Sequence, residues 1–485
     1  MSAILITTVY LMALSSLSLF GLHKMFLLYL FRRHLGEPVV RPKDPAEWPE
    51  VVVQLPVYNE RYVLHRLVRA VTRLEYPKRK LHIQVLDDSD DATSRLAAKL
   101  VAHFRKQGFR FDHVRRPHRN GFKAGALQHG LGISTAGIVA IFDADFLPPP
   151  DFLKRTVPHL LEEGVGMVQT RWGHLNREYS LLTRLQAVLL DGHFVIEHFA
   201  RHRSGRFFNF NGTAGVWRRE AIEEAGGWQH DTLTEDLDLS YRAQLRGWRF
   251  VYLPEVVAPA ELPAEINAFK NQQHRWAKGS IQTGRKLLPR IWRSALPFPV
   301  KLEATVHLTG NLSYLLMAVP SLFLIPVSLL EVEPAVNRPL FLYLVVFFMA
   351  SFSVCLYYGQ AIRMVSGGLW PQVLLLPAVM ALGIGLTVNN GLAVLEALLG
   401  WDSPFIRTPK FRIEGRRHTW KGKRYRADRR LLFLAEFFLG IYFSWGLLLF
   451  LQNGFWWSLP FLLLFQAGFL YTAVQSFHQG MGWKP

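Results

Sequence analysis

The chain has 485 residues, half of them hydrophobic, and carries 56 Lys and Arg against 37 Asp and Glu, a formal net charge of +19. This composition is too apolar for a simple soluble enzyme, and a charged fraction of 19% is too high for a chain that lies wholly in a membrane. We therefore expect one soluble domain combined with membrane helices, and we attribute the excess of Lys and Arg to cytoplasmic loops rather than to nucleic-acid binding. A single cysteine, Cys355, excludes an intrachain disulfide and a cysteine metal cluster.

Residues 3–31 form a long apolar run that only His23 and Lys24 interrupt. The run lacks a basic start and a small-residue cleavage site, so we expect residues 1–33 to be a retained transmembrane anchor rather than a signal peptide. Arg32 and Arg33 follow the run directly, and the excess of positive charge on cytoplasmic loops predicts that the next domain is cytoplasmic.

Residues 50–268 alternate short apolar runs with helical patterns, which predicts an α/β domain with a mostly parallel sheet. Asn59 is predicted to cap the helix that follows the first strand and extends through Leu74. A helix is also predicted from Glu235 to about Arg246. The predicted strands are residues 51–56, 82–86, 137–142, 165–170 and 250–253. Acidic residues follow the second and third of these strands, at the sheet edge where open parallel sheets bind ligands.

Residues 269–300 are predicted to form interfacial amphipathic helices, because the basic pattern of 269–291 is typical of a helix on a membrane surface. Residues 301–400 should contain transmembrane helices, at 311–330 and 340–362, and an interfacial or re-entrant element. That element, residues 369–399, has a predicted break at Asn389 and Asn390. The basic segment 401–430 is expected to be cytoplasmic, and residues 431–485 should hold two more spans and a short tail.

Four short motifs follow one another through the soluble part. They are Asp87 and Asp88; Asp143 and Asp145; Thr234, Glu235 and Asp236; and Gln272, Arg275 and Trp276. This ordered D, DxD, TED, QxxRW series resembles the processive family 2 glycosyltransferases, namely the cellulose, mannan, chitin and hyaluronan synthases. Ceramide glucosyltransferase is a more distant relative with similar motifs. The resemblance covers residues 51–292 and implies a GT-A-like domain inserted between α-helical transmembrane segments.

Asp143 and Asp145 flank one alanine at a predicted strand end, and two hard carboxylates of this kind suit Mg²⁺ or Mn²⁺. The alternative is a pair of ordinary turn carboxylates. The resemblance favours metal binding, with Asp145 the surer ligand. It also assigns the nucleotide sugar to a set of further residues: Pro56, Tyr58, Asn59, Glu60, Asp88, Lys123, Asp143, Gln272, Arg275, Trp276, Thr408 and Lys410.

Transfer of a sugar onto a hydroxyl requires a carboxylate that accepts the proton, and we assign this general base to Asp236. Thr234 and Glu235 complete the catalytic motif, and Asp238 is the local competitor. The alternative is favourable charge at a helix N-terminus. The resemblance implies a single displacement with inversion, in which an α-linked donor gives a β-linked product.

Aromatic and loop residues are candidates for the acceptor site: Trp172, Phe210, Asn211, Gly212, Thr213 and Trp276. For the two tryptophans, core packing is the alternative. Residues 405–410 resemble the FxVTxK gating loop of cellulose synthase, in which Phe405, Thr408 and Lys410 match and Arg407 replaces valine. An ordinary basic loop beside the membrane is the alternative here.

The resulting hypothesis is an inverting β-glycan synthase of the plasma (inner) membrane, with a cytoplasmic catalytic domain. It would transfer hexose from UDP-glucose or GDP-mannose to a growing cellulose, mannan or glucomannan chain and translocate it. Expected partners are the donor, a glycan or lipid acceptor, membrane lipids and accessory export subunits, and no nucleic acid. A non-processive enzyme that adds one sugar to a lipid and a basic membrane scaffold are the alternatives.

Overall fold

A computed structural model of the chain describes residues 3–38, 40–330, 339–367, 372–403, 406–415, 417–423 and 431–481. Its soluble part is built on one seven-stranded sheet with the order β3-β2-β1-β4-β6-β5-β7. The strands are β1 Val51–Val57, β2 Leu81–Asp87, β3 Arg110–Arg115, β4 Ile138–Ile141, β5 Val165–His174, β6 Gly215–Arg218 and β7 Arg249–Ala260. Strand β6 runs antiparallel to both of its neighbours, and all other pairs are parallel. The predicted mostly parallel sheet is therefore confirmed, although the sequence analysis missed β3 and β6.

Both faces of the sheet are covered, which is why the central strands read as continuous apolar runs. Successive side chains of a strand point to opposite faces. Accordingly, Val51 and Val53 of β1 belong to one buried cluster, while Val52 belongs to the other. The second cluster also contains Leu27 and Phe31 from the end of the first helix, so the sheet packs directly onto a predicted membrane segment.

Ten helices complete this part of the described chain or join it to the apolar helices. They are α2 Leu64–Val71, α3 Ala92–Lys106, α4 Phe122–Gly132, α5 Phe152–Leu160, α6 Leu181–Asp191, α7 Phe199–Arg203, α8 Arg219–Glu224, α9 Glu235–Leu245, α10 Ile266–Arg293 and α11 Phe298–Thr309. A π-helical segment, Gly192–His198, links α6 to α7. Single π-helical turns inside α-helices are frequent at functional sites.

The predicted helix cap at Asn59 is wrong. Helix α2 begins only at Leu64 and ends at Val71, three residues before the predicted end at Leu74. Asn59 instead adopts a left-handed backbone conformation with φ of 56°. Its side-chain Nδ2 donates to Asp90 Oδ1 at 2.8 Å, so it fixes the loop after β1 against the loop after β2.

The remaining helices form the apolar part of the molecule. They are α1 Ala3–His34, α12 Leu312–Leu330, α13 Pro339–Ser366, α14 Leu376–Gly385, α15 Thr387–Leu399, α16 Leu432–Gln452 and α17 Leu459–Met481. Among the described residues, four helical stretches are long and apolar enough to cross a membrane: Ile4–His34, Leu312–Leu329, Leu432–Gln452 and Trp456–Gly480. The predicted span 340–362 lies within α13.

The predicted break at Asn389 and Asn390 is also misplaced. The chain bends by 43° at Leu386, between the paired helical stretches Val373–Gly385 and Thr387–Leu399, as a broken span or a re-entrant element would. Both asparagines are buried inside α15, where Asn389 Nδ2 donates to the Lys270 carbonyl oxygen at 2.9 Å. The side chain of Asn389, which looked like part of a break, therefore connects α15 to α10.

Helix α10 carries the Gln272, Arg275 and Trp276 motif and extends a few residues beyond the predicted basic helix at both ends. The structure buries two of its lysines against carboxylates of neighbouring helices. Lys270 Nζ lies 2.6 Å from Glu436 of α16, and Lys278 Nζ lies 3.0 Å from Glu396 of α15. These two lysines therefore face protein, and the basic pattern of α10 does not reflect a lipid surface alone.

Candidate active site

A cavity of about 270 Å³ opens at the carboxyl ends of β1, β2 and β4. Most of the residues predicted for the site line it, although they come from distant parts of the chain. These are Pro56, Tyr58, Glu60, Asp88, Lys123, Asp143, Asp145, Trp172, Asn211, Gly212, Thr234, Glu235, Asp236, Gln272, Arg275, Trp276, Thr408 and Lys410. All four motifs therefore meet in one place, which we call the donor cavity.

Three predicted site residues do not line this cavity. Asn59 is bonded to Asp90, as described above. Phe210 is fully buried and packs edge-on against Trp217, so it belongs to the core. Thr213 is also fully buried, and its hydroxyl oxygen accepts a hydrogen bond of 2.9 Å from the backbone nitrogen of Asp143. Phe405 of the loop that resembles the gating sequence lies outside the described residues.

The sheet positions the acidic groups because parallel strands end at one edge. Asp87 is the last residue of β2, and Asp143 comes two residues after the end of β4. Only Asp88 of the first acidic pair faces the cavity, where Arg116 holds it with a bidentate contact whose Nε bond is 3.0 Å long. Asp87 points to the other side and lies 2.8 Å from His113 Nε2.

Each aspartate of the DxD motif contacts one lysine. Lys123 Nζ lies 2.6 Å from Asp143 Oδ1, and Lys410 Nζ lies 2.8 Å from Asp145 Oδ2. Burial would lower the pKa of both lysines, but the neighbouring carboxylates outweigh it and raise their pKa values. Both lysines therefore stay charged, and the carboxylates of Asp143 and Asp145 create a local environment that favours a cation.

The oxygen chemistry of Asp143 and Asp145 fits a hard divalent cation. Across the described ranges of the chain, no group of three His, Cys, Asp or Glu side chains is arranged to hold a metal ion by itself. A cation at the DxD motif would therefore need further oxygen ligands from a bound diphosphate or from water. Mg²⁺ sites are commonly of this kind, with one or two carboxylates and substrate phosphates.

Asp236 lies at the N-terminus of α9, where the backbone nitrogen of Leu237 donates to its Oδ1 at 2.8 Å. Burial, reinforced by the charge of Glu235, raises the pKa of Asp236 to about 7, although Lys123 opposes this. A carboxyl group with a pKa near neutrality is well matched to proton transfer.

The competing Asp238 faces away from the cavity. It is completely buried between Arg242 Nε at 2.7 Å and Lys286 Nζ at 2.9 Å, and this ion pairing gives it a structural role.

Gly212 keeps the space in front of Asp236 open. It has φ of +79°, and a Cβ at this position would lie 2.9 Å from Asp236 Oδ2. Any other residue would be strained and would crowd the carboxylate. The carbonyl oxygen of Gly212 also accepts from Lys123 Nζ at 2.8 Å, which ties the loop of residues 210–213 to the DxD side of the cavity.

Arg275 projects from α10 into the donor cavity, where Trp276 also lies. Burial lowers the pKa of Arg275 below its usual value, and the charges of Glu235, Asp143 and Asp236 only partly offset this effect. A guanidinium group remains protonated under such conditions. The cavity thus presents a fixed cation opposite its carboxylates, which suits an anionic ligand such as a diphosphate.

A charged contact that was not predicted from the sequence holds the loop of residues 406–415. Arg407 donates to both carboxylate oxygens of Glu60, at 3.0 and 2.9 Å. Burial raises the pKa of Glu60 to about 7 despite the opposing charge of Arg407. The signal was present in the sequence, since arginine replaces the valine of the FxVTxK pattern, but nothing local indicated that its partner would be Glu60.

A second cavity of about 470 Å³ continues from the first. The two share seven lining residues: Trp172, Leu190, Asn211, Thr234, Asp236, Gln272 and Trp276. We call the second one the helical cavity, because its other walls come mainly from helical segments, namely α1, α6, the π-helical segment, α7, α10, α11, α12 and α13. Asp236 thus lies where the two cavities meet.

Comparison with known proteins gives matches over the soluble part. Residues 49–279 match the family described as "Glycosyltransferase like family 2". Glucomannan 4-beta-mannosyltransferase 1 of rice (Oryza sativa subsp. japonica) is 42% identical over 273 residues, which are 54% of this chain and 52% of that protein. Glucomannan 4-beta-mannosyltransferase 7 of Arabidopsis thaliana is 44% identical over 254 residues, 51% and 46% of the two chains. This chain therefore spans about half the length of the curated relatives it matches.

A solved structure shares the fold. A mannosyltransferase of Pyrobaculum calidifontis, in complex with GDP-Man and Mn²⁺, superposes with a TM-score of 0.51 at 22% identity. The match covers 73% of this chain and all of the other. The sheet domain is thus of the GT-A type, as the sequence analysis expected.

Proposed function

We propose that the chain, whose residues 49–279 match glycosyltransferase family 2, is a membrane-embedded, inverting mannosyltransferase that extends a β-linked glucomannan or mannan from GDP-mannose. The position of Asp236 carries this proposal. Asp236 lies where the donor cavity, whose charged side chains suit a nucleoside diphosphate, meets the helical cavity. The choice of GDP-mannose rests on the names of the relatives that match at 42–44% identity.

The donor cavity would hold the nucleotide sugar. Tyr58 and Asp88 lie at the ends of β1 and β2, respectively, where the nucleotide would bind, while Arg275 and Lys410 would contact the diphosphate. Arginine and lysine neutralise phosphate oxygens by charge-assisted hydrogen bonds. Asp143 and Asp145 would hold Mn²⁺ or Mg²⁺, which supplies charge neutralisation for the departing nucleoside diphosphate.

Asp236 would act as the general base. Its carboxylate would accept the proton of the acceptor hydroxyl as the new glycosidic bond forms and the bond to the diphosphate breaks. Attack from the side opposite the diphosphate inverts the anomeric centre, so an α-linked donor yields a β-linked product. Glu235 raises the proton affinity of Asp236 and so supports this role, while Thr234 leads into α9.

The acceptor would lie in the helical cavity, with its terminal sugar beside Trp172, Asn211 and Trp276. Tryptophan faces suit sugar rings because they are apolar and flat. The helical walls of this cavity provide a place for the previous sugar units, and this supports a processive enzyme that moves its product between the helices. We place the catalytic domain on the cytoplasmic side of the plasma membrane, where nucleotide sugars are available.

The loop of residues 406–415 would cover the donor. Lys410 reaches Asp145, and Glu261 accepts from the backbone nitrogens of Phe411 and Arg412, both at 2.8 Å. A loop that excludes water suppresses hydrolysis of the activated donor. Thr408 lines the same cavity and would be brought to the donor by this closure.

The test uses the full chain in detergent or nanodiscs with radiolabelled GDP-mannose and, separately, UDP-glucose, each with and without Mn²⁺. We expect a polymer from GDP-mannose that β-mannanase degrades, and no polymer once the metal is chelated. A single labelled glycolipid without polymer would establish the lipid-directed alternative, and no transfer from either donor would refute the proposal.

A further inference from the structure

Two basic side chains, His23 and Lys24, interrupt the apolar run of helix α1 before the basic residues of its last turn. His23 Nε2 lies 2.9 Å from Glu303 of α11, and Lys24 Nζ forms an ion pair with Glu197 of the π-helical segment. Ionisable groups in an apolar helix of this kind are costly, usually paired, and concentrated at functional sites. Both side chains line the helical cavity, so they lie near the proposed path of the glycan.

Glu197 is the centre of this group of charges. Besides Lys24, its carboxylate accepts hydrogen bonds from Tyr357 Oη at 3.0 Å and from Arg201 Nη1 at 3.2 Å. Burial favours protonation, but Lys24 and Arg201 hold the pKa of Glu197 well below its usual range. Glu197 is therefore an ionised group with fixed partners on three sides.

His193 connects Glu197 to the acceptor side of the catalytic centre. Its Nδ1 lies 3.1 Å from Glu197 Oε2, and its Nε2 lies 3.0 Å from Asn211 Oδ1. Asn211 lines both cavities, and the next residue, Gly212, is the one that abuts Asp236. A continuous chain of polar contacts thus leads from α1 to the loop beside the proposed base.

We propose that His193 is a positioning residue for the glycan acceptor: bound by Glu197, it holds Asn211 in place so that the terminal sugar of a β-linked hexose oligosaccharide lies against Asp236. The inference rests on the proposed function and specifies its acceptor side. It also gives a role to the Lys24–Glu197 pair, which anchors His193 to the first membrane helix.

The test compares His193→Phe, which keeps a ring but loses both hydrogen bonds, with His193→Gln, which retains one. Binding of β-1,4-mannohexaose and of GDP to the full chain in detergent is measured by calorimetry. We expect His193→Phe to raise the Kd for mannohexaose about three- to tenfold, as if one hydrogen bond from Asn211 to the sugar were lost, with the Kd for GDP changed less than twofold. His193→Gln should restore most of the affinity.

A double-mutant cycle distinguishes positioning from general damage. If His193 acts through Asn211, adding His193→Phe to Asn211→Ala should weaken mannohexaose binding no further. His202→Phe is the matched control, because His202 lies outside both cavities and contacts the core residue Phe208. We expect this control to keep wild-type affinities for both ligands.

Three results would overturn the inference: an unchanged Kd for mannohexaose in His193→Phe, an equal loss of GDP affinity, or additive losses in the double variant. If His193→Phe is not recovered as folded protein, His193→Ala replaces it, since alanine adds no bulk to the cavity. Failure of the proposed function is a separate observation, because it appears as absent sugar transfer by the wild type.

Discussion

The donor cavity and the helical cavity meet at Asp236 but hold their charges differently. In the donor cavity, Asp145 contacts Lys410 of a surface loop, and Asp143 contacts Lys123 at the start of α4. Arg201, which lines the helical cavity, bridges two buried carboxylates, with 3.2 Å to Glu197 and 2.9 Å to Glu303. The first arrangement is one of single pairs, whereas the second is a network.

This difference matches what each cavity would have to do. A site that takes up a metal ion and a diphosphate and releases them in every cycle needs charged groups whose partners can be exchanged. A path for a neutral glycan needs polar walls without excess charge. The positive charges of Lys24 and Arg201 offset the negative charges of Glu197 and Glu303. Each of these four side chains forms an ion pair with a residue of another helical segment.

The first prediction concerns the point where the cavities meet. Asp236→Asn removes the proposed base while keeping the size of the side chain. We expect sugar transfer to fall by about 10²–10⁴-fold, the usual contribution of a general base, with GDP affinity unchanged. The measurement combines initial rates with equilibrium binding. Asp231→Asn is the matched control, because Asp231 is exposed, five residues away and outside both cavities. Full activity in Asp236→Asn would remove the basis of the proposed mechanism.

Much of the donor cavity could be predicted from the sequence because its determinants are local. Buried apolar runs mark β1, β2 and β4, and the Asp87–Asp88 pair and the DxD motif follow directly after the second and third of these runs. The roles within the loop of residues 210–213 could not be predicted, because no periodicity shows that Phe210 and Thr213 point inward while Asn211 points to the cavity. Strand β6 was missed because it has four residues and no alternation.

The helical cavity could not be predicted, because its walls come from helices far apart in the chain. The sequence shows His23 and Lys24 as interruptions of an apolar run, yet their partners are Glu303 and Glu197. Nothing near α1 specifies such distant carboxylates. The π-helical segment that presents His193 and Glu197 also leaves no recognisable pattern.

The second prediction tests the network. Arg201 is almost fully buried, and Arg201→Leu would leave Glu197 and Glu303 without their shared partner. Breaking a buried ion pair typically costs about 3–5 kcal/mol, so we expect a marked fall in melting temperature in detergent. Arg203→Leu, two residues along the same helix and partly exposed, should change it little. Equal stability of the two variants would show that the network is not structural.

The third prediction tests the exchangeable contacts of the donor cavity. Arg407→Val replaces the arginine with the residue of the FxVTxK pattern and breaks the bidentate contact with Glu60. We expect a looser loop and a rise of up to about tenfold in donor hydrolysis relative to transfer, because a charged hydrogen bond contributes roughly 1.5 kcal/mol. The melting temperature should stay near that of the wild type, unlike that of Arg201→Leu. Release of free mannose and of GDP, measured together, provides the ratio. An unchanged ratio would show that Arg407 does not hold the loop closed.

The last and smallest effect is the pH dependence at the junction. A base must be deprotonated to act, so burial of Asp236, which raises its pKa to about 7, predicts that kcat/KM falls as pH drops below neutrality. Lys123 favours the ionised form of Asp236, so Lys123→Met should move this acid limb to higher pH. The position of the limb is the informative quantity, because Lys123 also contacts Asp143 and its loss lowers the rate at every pH. Lys99→Met, on the distant helix α3, should leave the limb where it is. A limb that does not move in Lys123→Met would show that another group titrates, and that Lys123 acts only on the donor side.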